Sequence, residues 1–306
     1  MRLLLIGDVH LSDTPPSVRT DSYADDILAK LEWIVDTANR SKVDWIVQLG
    51  DLFHIKTPSR TSHALLQRTA QVLEQSRVWT WVVPGNHDMR HDRLDSLSSQ
   101  PLGTLALSPD VWLLDGQAGE IYGIPYTEDL EKFQAELDKA KSRRIKLIAA
   151  HAAIFPPGVH PPYPHWNADQ LDTHGTPLAY GHIHEPHGFY EVNGTWFCNN
   201  GAISRGSLHE ETLNREPAVT IFDDSVGGNP FTSIPVPFKP AEQVFRLAEH
   251  QEERAKAARL DDFLRSVGGV SLTSLSLEQI IDHVRQGDLL GEDAQRELRD
   301  IVESLA

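Results

Sequence analysis

Five short stretches of this chain bring aspartate, asparagine and histidine together: Asp8-Val9-His10, Gly50-Asp51-Leu52-Phe53-His54, Gly85-Asn86-His87-Asp88, His151 with its neighbours, and Gly181-His182-Ile183-His184. Carboxylate, carboxamide and imidazole groups are oxygen and nitrogen donors that suit borderline divalent metals such as Mn²⁺, Fe²⁺ or Zn²⁺. A tetrathiolate site is excluded, because Cys198 is the one cysteine. The candidate ligands Asp8, His10, Asp51, Asn86, His151, His182 and His184 are too many for one ion that keeps an open position. They suit two ions sharing a carboxylate, about 3.5–4 Å apart in sites of that kind. The chemistry such a pair supports is metal-assisted hydrolysis.

A single histidine carries little meaning in a chain with 15 of them. The weight comes from the elements that precede each motif. Residues 2–7, 43–49 and 78–83 read as buried strands, and residues 24–38 and 61–76 carry apolar side chains at helical spacing. Further strands are expected at 111–114, 120–124, 145–150 and 177–181, and a helix at 128–141. Alternating strands and helices imply a layered α/β fold with parallel pairing. In such sheets the carboxyl ends of the strands form one edge, where ligands bind. All five motifs fall at strand ends. In extended chain, residues i and i+2 point the same way, so Asp8 and His10 can face one point, as can His182 and His184. Gly50, Gly85 and Gly181 permit close backbone approach just before the ligands.

After residue 187 a hairpin is expected to turn at Asn193-Gly194, followed by strands in "PAVTIFD" and "TSIPVPF". The second half is thus expected to add a β-rich sheet to the first. The proline-rich stretch 155–166 reads as a surface loop, and its His160 and His165 have no assigned role. His187, beyond Pro186, is placed on the rim. From about residue 241 the pattern turns helical and charged, with one helix over 241–266 and two more to the end. The expected domains are 1–238 and a helical region 239–306.

The net charge of −16 argues against unaided nucleic-acid binding, although bound cations make the local field of a site positive. No apolar run approaches the ~20 residues of a membrane span. The N-terminal run reads as a buried strand rather than a signal peptide. With one cysteine, the composition fits a reducing cytoplasm.

The ordered motifs resemble the calcineurin-like metallophosphoesterase superfamily over roughly residues 1–236. That resemblance implies a four-layer α/β/β/α sandwich with a dinuclear centre. Asp8, His10, Asp51 and His184 would hold one metal. Asp51, Asn86, His151 and His182 would hold the other, with Asp51 bridging. The ions would be Mn²⁺ first, with Fe²⁺, Zn²⁺ or Mg²⁺ as alternatives. His87 would stand beside the scissile phosphate without ligating, and Asp88 would orient it. His54, where many phosphatases carry an acidic residue, is similar to the SbcD-type DNA repair nucleases, as are "DVHLSDTPPSVR" and "NNGAISRGS". There His54 would position the phosphate or the strand. This branch implies DNA as substrate and an SbcC-like SMC-type ATPase gripping the C-terminal helices. It also implies a homodimer, for which residues 60–76 or 90–100 are candidates. The alternative is a phosphoesterase or phosphatase acting on nucleotides or other small molecules. The tail follows soon after the core, so a DNA-capping domain of the family's usual size is absent or reduced.

Overall fold

The first strand shows how the sequence builds the layers. β1 (Arg2–Ile6) is apolar from Leu3 onward and buried on both faces. Leu3 and Leu5 enter one hydrophobic cluster, and Leu4 and Ile6 enter another, as the two-residue period of a strand requires. The computed structural model describes residues 1–54, 61–141, 144–208, 212–213, 215–247 and 252.

In chain order the elements are α1 (Tyr23–Ser41), β2 (Trp45–Gln48), α2 (His63–Glu74), β3 (Thr80–Val82), α3 (Pro101–Leu105), β4 (Val111–Leu113), β5 (Gly116–Ala118), β6 (Ile121–Ile124), α4 (Leu130–Lys141), β7 (Leu147–His151), β8 (Ile154–Phe155), β9 (Trp166–Asn167), β10 (Leu178–Gly181), β11 (Gly188–Val192), β12 (Thr195–Asn199), β13 (Ala218–Asp223), β14 (Phe231–Pro235) and α5 (Ala241–Val244). One six-stranded sheet has the order β14-β13-β1-β2-β3-β4, and the other β11-β12-β10-β7-β6-β5. Leu3, Leu5 and Val47 of the first meet Leu147, Ala149 and Ala179 of the second in the central layer. The helices α1 and α2 cover the outer face of the first sheet through Ile27, Leu31, Leu65 and Val72. Phe133 and Leu137 of α4 cover the outer face of the second. The result is the expected α/β/β/α sandwich.

Local signals set the boundaries. Lys42 closes α1 in a left-handed conformation. Ser62 caps α2, its hydroxyl accepting the Leu65 N–H at 3.0 Å. The hairpin at Asn193-Gly194 joins β11 to β12, with Val192 opposite Thr195.

Two expectations change. The second half does not supply a sheet of its own. β13 returns to the first sheet and pairs antiparallel with β1, while β5 and β6, from the first half, belong to the second sheet. The helix expected over 241–266 is broken after its first turn, at Phe245 and Arg246; Leu247 and Glu252 are helical, and the other residues of 248–266 lie outside the described residues. Phe245 is extended and bridges to Arg19, because its buried ring packs against the guanidinium groups of Arg19 and Arg205 at 5.3 and 5.7 Å. The contacts divide the chain into Met1–Phe245 and Arg246–Ala306. The two later tail helices lie outside the described residues. Among the described residues no helix is long and apolar enough to cross a membrane.

Candidate metal centre

The five motifs follow β1, β2, β3, β7 and β10. The first three strands run parallel in one sheet and the last two parallel in the other. Their carboxyl ends therefore meet along one edge of the sandwich. His10 and His182 are not in the extended chain that their i, i+2 spacing had suggested. His10 (φ 52°), Asp51 (φ 57°) and His182 (φ 81°) are left-handed. Each such non-glycine residue costs roughly 1–3 kcal/mol, which the surroundings must offset. They do so with hydrogen bonds. The N–H groups of Val9 and His10 both donate to the Asp51 carbonyl, at 3.1 and 2.9 Å. The Asp51 N–H donates to the Asp88 carboxylate at 2.9 Å. A side chain at Gly50 would collide with the His151 ring, and one at Gly85 with Asp51.

The donor atoms form two overlapping groups. In one, His10 Nε2 lies 2.8 Å from His184 Nε2, and Asp8 Oδ2 lies 3.3 Å from His184 Nε2. His10 Nε2 is also 3.8 Å from Asp51 Oδ2. In the other, Asn86 Oδ1 stands 3.1 Å from His151 Nε2 and 3.0 Å from His182 Nδ1. His151 Nε2 is 3.4 Å from the same Asp51 Oδ2. His182 and His184, neighbours in sequence, thus face different groups, and Asp51 is common to both.

This arrangement fits two cations. Ligands ~2.1 Å from one ion and at right angles lie roughly 3 Å apart, the spacing seen here. Asp8 Oδ2 is buried and has no hydrogen-bond partner, which a bound cation would correct. The remaining ring nitrogen of His151 donates to the Leu49 carbonyl at 2.7 Å, orienting the ring. Burial pushes His10 down to about 3 and His182 down to about 4, so both rings are neutral, as ligation needs. For His151 burial pulls the same way, but Asp51 outweighs it and raises the ring to about 9. Burial pushes Asp51 upward, yet the His151 charge holds its carboxyl well below the ordinary range.

Asp88 is placed differently from expectation. Its carboxylate accepts the N–H groups of Gly85, Asp51 and Phe53 at 3.0, 2.9 and 3.2 Å, tying two motif loops together. Burial, and then the Asp51 charge, raise it to about 7. His87 is oriented instead by the His54 carbonyl, 2.6 Å from its Nδ1. The His54 ring stacks on His87 at 5.2 Å and 15°, and His54 Nδ1 is 3.3 Å from His10 Nδ1. His187 stands outside both groups, half-buried against Tyr180, whose hydroxyl is 2.7 Å from its Nδ1.

Three contributors were missed in the sequence. Gln48 amide groups bond to both the N–H and the carbonyl of Gly50, and a lone glutamine in an apolar strand was the signal. Tyr126 packs over His182 at 5.0 Å. It follows β6 as the ligands follow their strands, but a search for Asp, Asn and His passed over it. Arg215 donates to the carbonyls of His184 and Ser204, and no spacing marked it.

Comparison with known proteins gives the family. Residues 1–186 match the family model described as calcineurin-like phosphoesterase. A stretch of 88 residues is 32% identical to the SbcD component of the nuclease SbcCD of Escherichia coli strain K12, and the same figures hold for that protein of Escherichia coli O157:H7. The match covers 29% of this chain and 21% of those relatives. Among solved structures, TT1561 of Thermus thermophilus is similar in fold, with a TM-score of 0.50 and 14% identity over 77% of this chain and 99% of that one. With the family model spanning more than half of the chain, this protein belongs to the calcineurin-like phosphoesterase family and is a metal-dependent phosphoric ester hydrolase.

Proposed function

We propose that this protein is a two-metal phosphodiesterase that acts on DNA as a nuclease component of SbcD type, in repair or recombination. The observation that carries the reading is His54, whose ring stacks on His87 at the edge of the donor cluster. The partial likeness to the E. coli nuclease component supports it. Asp8, His10, Asp51 and His184 would hold one ion, and Asp51, Asn86, His151 and His182 the other. Mn²⁺ is the first candidate. When bound, the pair supplies water activated near neutral pH and charge stabilisation at the phosphate.

The protein's own groups do the rest. The His54 carbonyl can only accept, so His87 carries a proton on Nδ1. To protonate the leaving ester oxygen, His87 would act as the imidazolium, giving up its Nε2 proton while Nδ1–H stays on the His54 carbonyl, a role worth ~10²–10⁴-fold for a general acid. His54, beside that ring, positions the phosphate or the strand. Asp88 keeps the loops of Asp51 and Asn86 in register. On this reading the tail, residues 239–306, engages an SbcC-like SMC-type ATPase, and the chain pairs with a second copy.

The test is hydrolysis with Mn²⁺ of single- and double-stranded DNA beside mono- and diester reporters. DNA and diesters should be cleaved, and His87→Ala should lose at least ~10²-fold in kcat. Cleavage of monoesters alone would replace this reading by the small-molecule phosphatase, which the charge of −16 favours. Truncation near residue 240 should abolish ATPase binding.

A further inference from the structure

The proline-rich stretch after β7 has a place in the fold that its sequence did not reveal. Ile154 and Phe155 of β8 pair with Trp166 and Asn167 of β9, so the stretch between them is tied at its base. His165 Nδ1 lies 2.8 Å from the Tyr163 carbonyl, and Phe155 packs against the rings of both Tyr163 and His165. This fixes Tyr163, His165 and Trp166 as one wall of a cavity of about 310 Å³, with Tyr126 and Phe133 among its other linings. The size sits at the low end of the ~300–1,000 Å³ found for ligand pockets. The cavity opens beside His182, over which Tyr126 lies.

Its chemistry selects among occupants. Among the described residues the lining includes no lysine or arginine, and its one charged carboxylate is Glu128, so a further phosphate is disfavoured. The aromatic faces of Tyr126, Tyr163 and Trp166 suit a flat, neutral ring. Stacking on such faces is tolerant of base identity, because every nucleobase has a π-face. The position then says which side of the phosphate the ring belongs to. His87 packs on His10 and His54, in the half of the centre built on Asp8 and His184. The cavity touches the other half, through His182. The leaving ester faces His87, so the cavity faces the ester that stays on phosphorus.

We propose that this aromatic cleft stacks the base of the nucleoside retained on the phosphate, making it a specificity site for nucleotide over simple alkyl diesters. The inference rests on the phosphodiesterase reading and sharpens its substrate class.

The test uses the full chain with Mn²⁺ and two diesters that share one leaving group, the p-nitrophenyl esters of thymidine 5′-phosphate and of methyl phosphate. The expected preference in kcat/KM for the nucleoside ester is about tenfold or more. Tyr163→Ala should lower that ratio about tenfold, and Tyr163→Trp should keep it. An equal ratio in the parent and Tyr163→Ala overturns the proposal. If neither ester is hydrolysed, the phosphodiesterase reading fails separately, and the cleft is read by calorimetry with thymidine 5′-monophosphate against inorganic phosphate. Tighter binding of the nucleotide, lost in Tyr163→Ala, supports the cleft, and equal binding overturns it. Competition by single-stranded oligothymidylate as strong as by the mononucleotide assigns the base to a strand end. Competition by the mononucleotide alone assigns it to a free nucleotide, and competition by neither overturns the site.

Discussion

Two clusters of buried charge stand close together in this protein, and they are neutralised in opposite ways. Around Asp26 every carboxylate has a cation: Lys30 Nζ is 3.0 Å and Arg19 Nη2 3.2 Å from Asp26 Oδ2, and Arg19 also grips Asp21 at 2.8 Å. Spare donors go to backbone, Lys30 to the Ile203 carbonyl and Arg19 to the Arg205 carbonyl. Around Asp51, three carboxylates are buried among histidines and backbone amides, and Asp8 Oδ2 has no hydrogen-bond partner. The first cluster is complete within the chain, as a structural network must be. The second sets three carboxylates against the one charged ring of His151, and two divalent cations would supply the positive charge still missing. The clusters are also joined, since Ile203, braced by Lys30, donates its N–H to the Asp8 carbonyl.

The largest expected effect separates them most sharply. Asp51→Asn should lower turnover on the order of 10³-fold, because it removes the carboxylate shared by both donor groups. Its melting temperature in chelator should change far less than its activity, and a loss of fold would erase the distinction. Next, Asp26→Ala should cost ~3 kcal/mol in denaturant titration by stranding buried Lys30 and Arg19. Turnover per folded molecule should persist, and a comparable loss of catalysis would merge the two clusters. Third, chelation followed by Mn²⁺ at saturation should raise stability by ~2–3 kcal/mol, read as a shift of several degrees. The shift should vanish in Asp51→Asn and survive in Asp26→Ala.

The smallest effect is in pH. Burial would raise Asp26, but Lys30 and Arg19 outweigh it and lower its pKa from 3.8. A depressed folded value means that its stabilisation is present above 3.8 and is lost as pH falls through the folded value. Asp26→Asn should flatten that acid limb of the melting curve, and an unchanged limb would deny the pairing its part.

The comparison also shows what was legible in the sequence. Short apolar runs located β1, β2 and β3, and apolar side chains at helical spacing located α1 and α2. Asp8, His10, Asp51, Asn86, His151, His182 and His184 were found through their positions at strand ends, and the structure gathers them. Spacing did not reveal how they are held. Left-handed backbone at His10, Asp51 and His182 depends on hydrogen bonds from distant loops, and such contacts leave no local pattern. The same limit hid the work of Asp88, whose partners Asp51 and Phe53 are more than 30 residues away. The return of β13 to β1 is a choice of partner, and two apolar strands do not state in sequence which neighbour they will join. The Asp26 network went unread because its charges look like an ordinary solvated helix face.

That return has a consequence in time. Leu5 of β1 pairs with Thr220 of β13, and Asp8 meets His184, so β1 must wait for partners synthesised much later. Contacts of such separation carry a loop-closure cost before they are rewarded, and they slow folding. During translation Asp8, His10 and Asp51 leave the ribosome long before His182 and His184. The partial centre they make has too few donors for two ions, so binding of the cations would be one of the last events in the maturation of the chain.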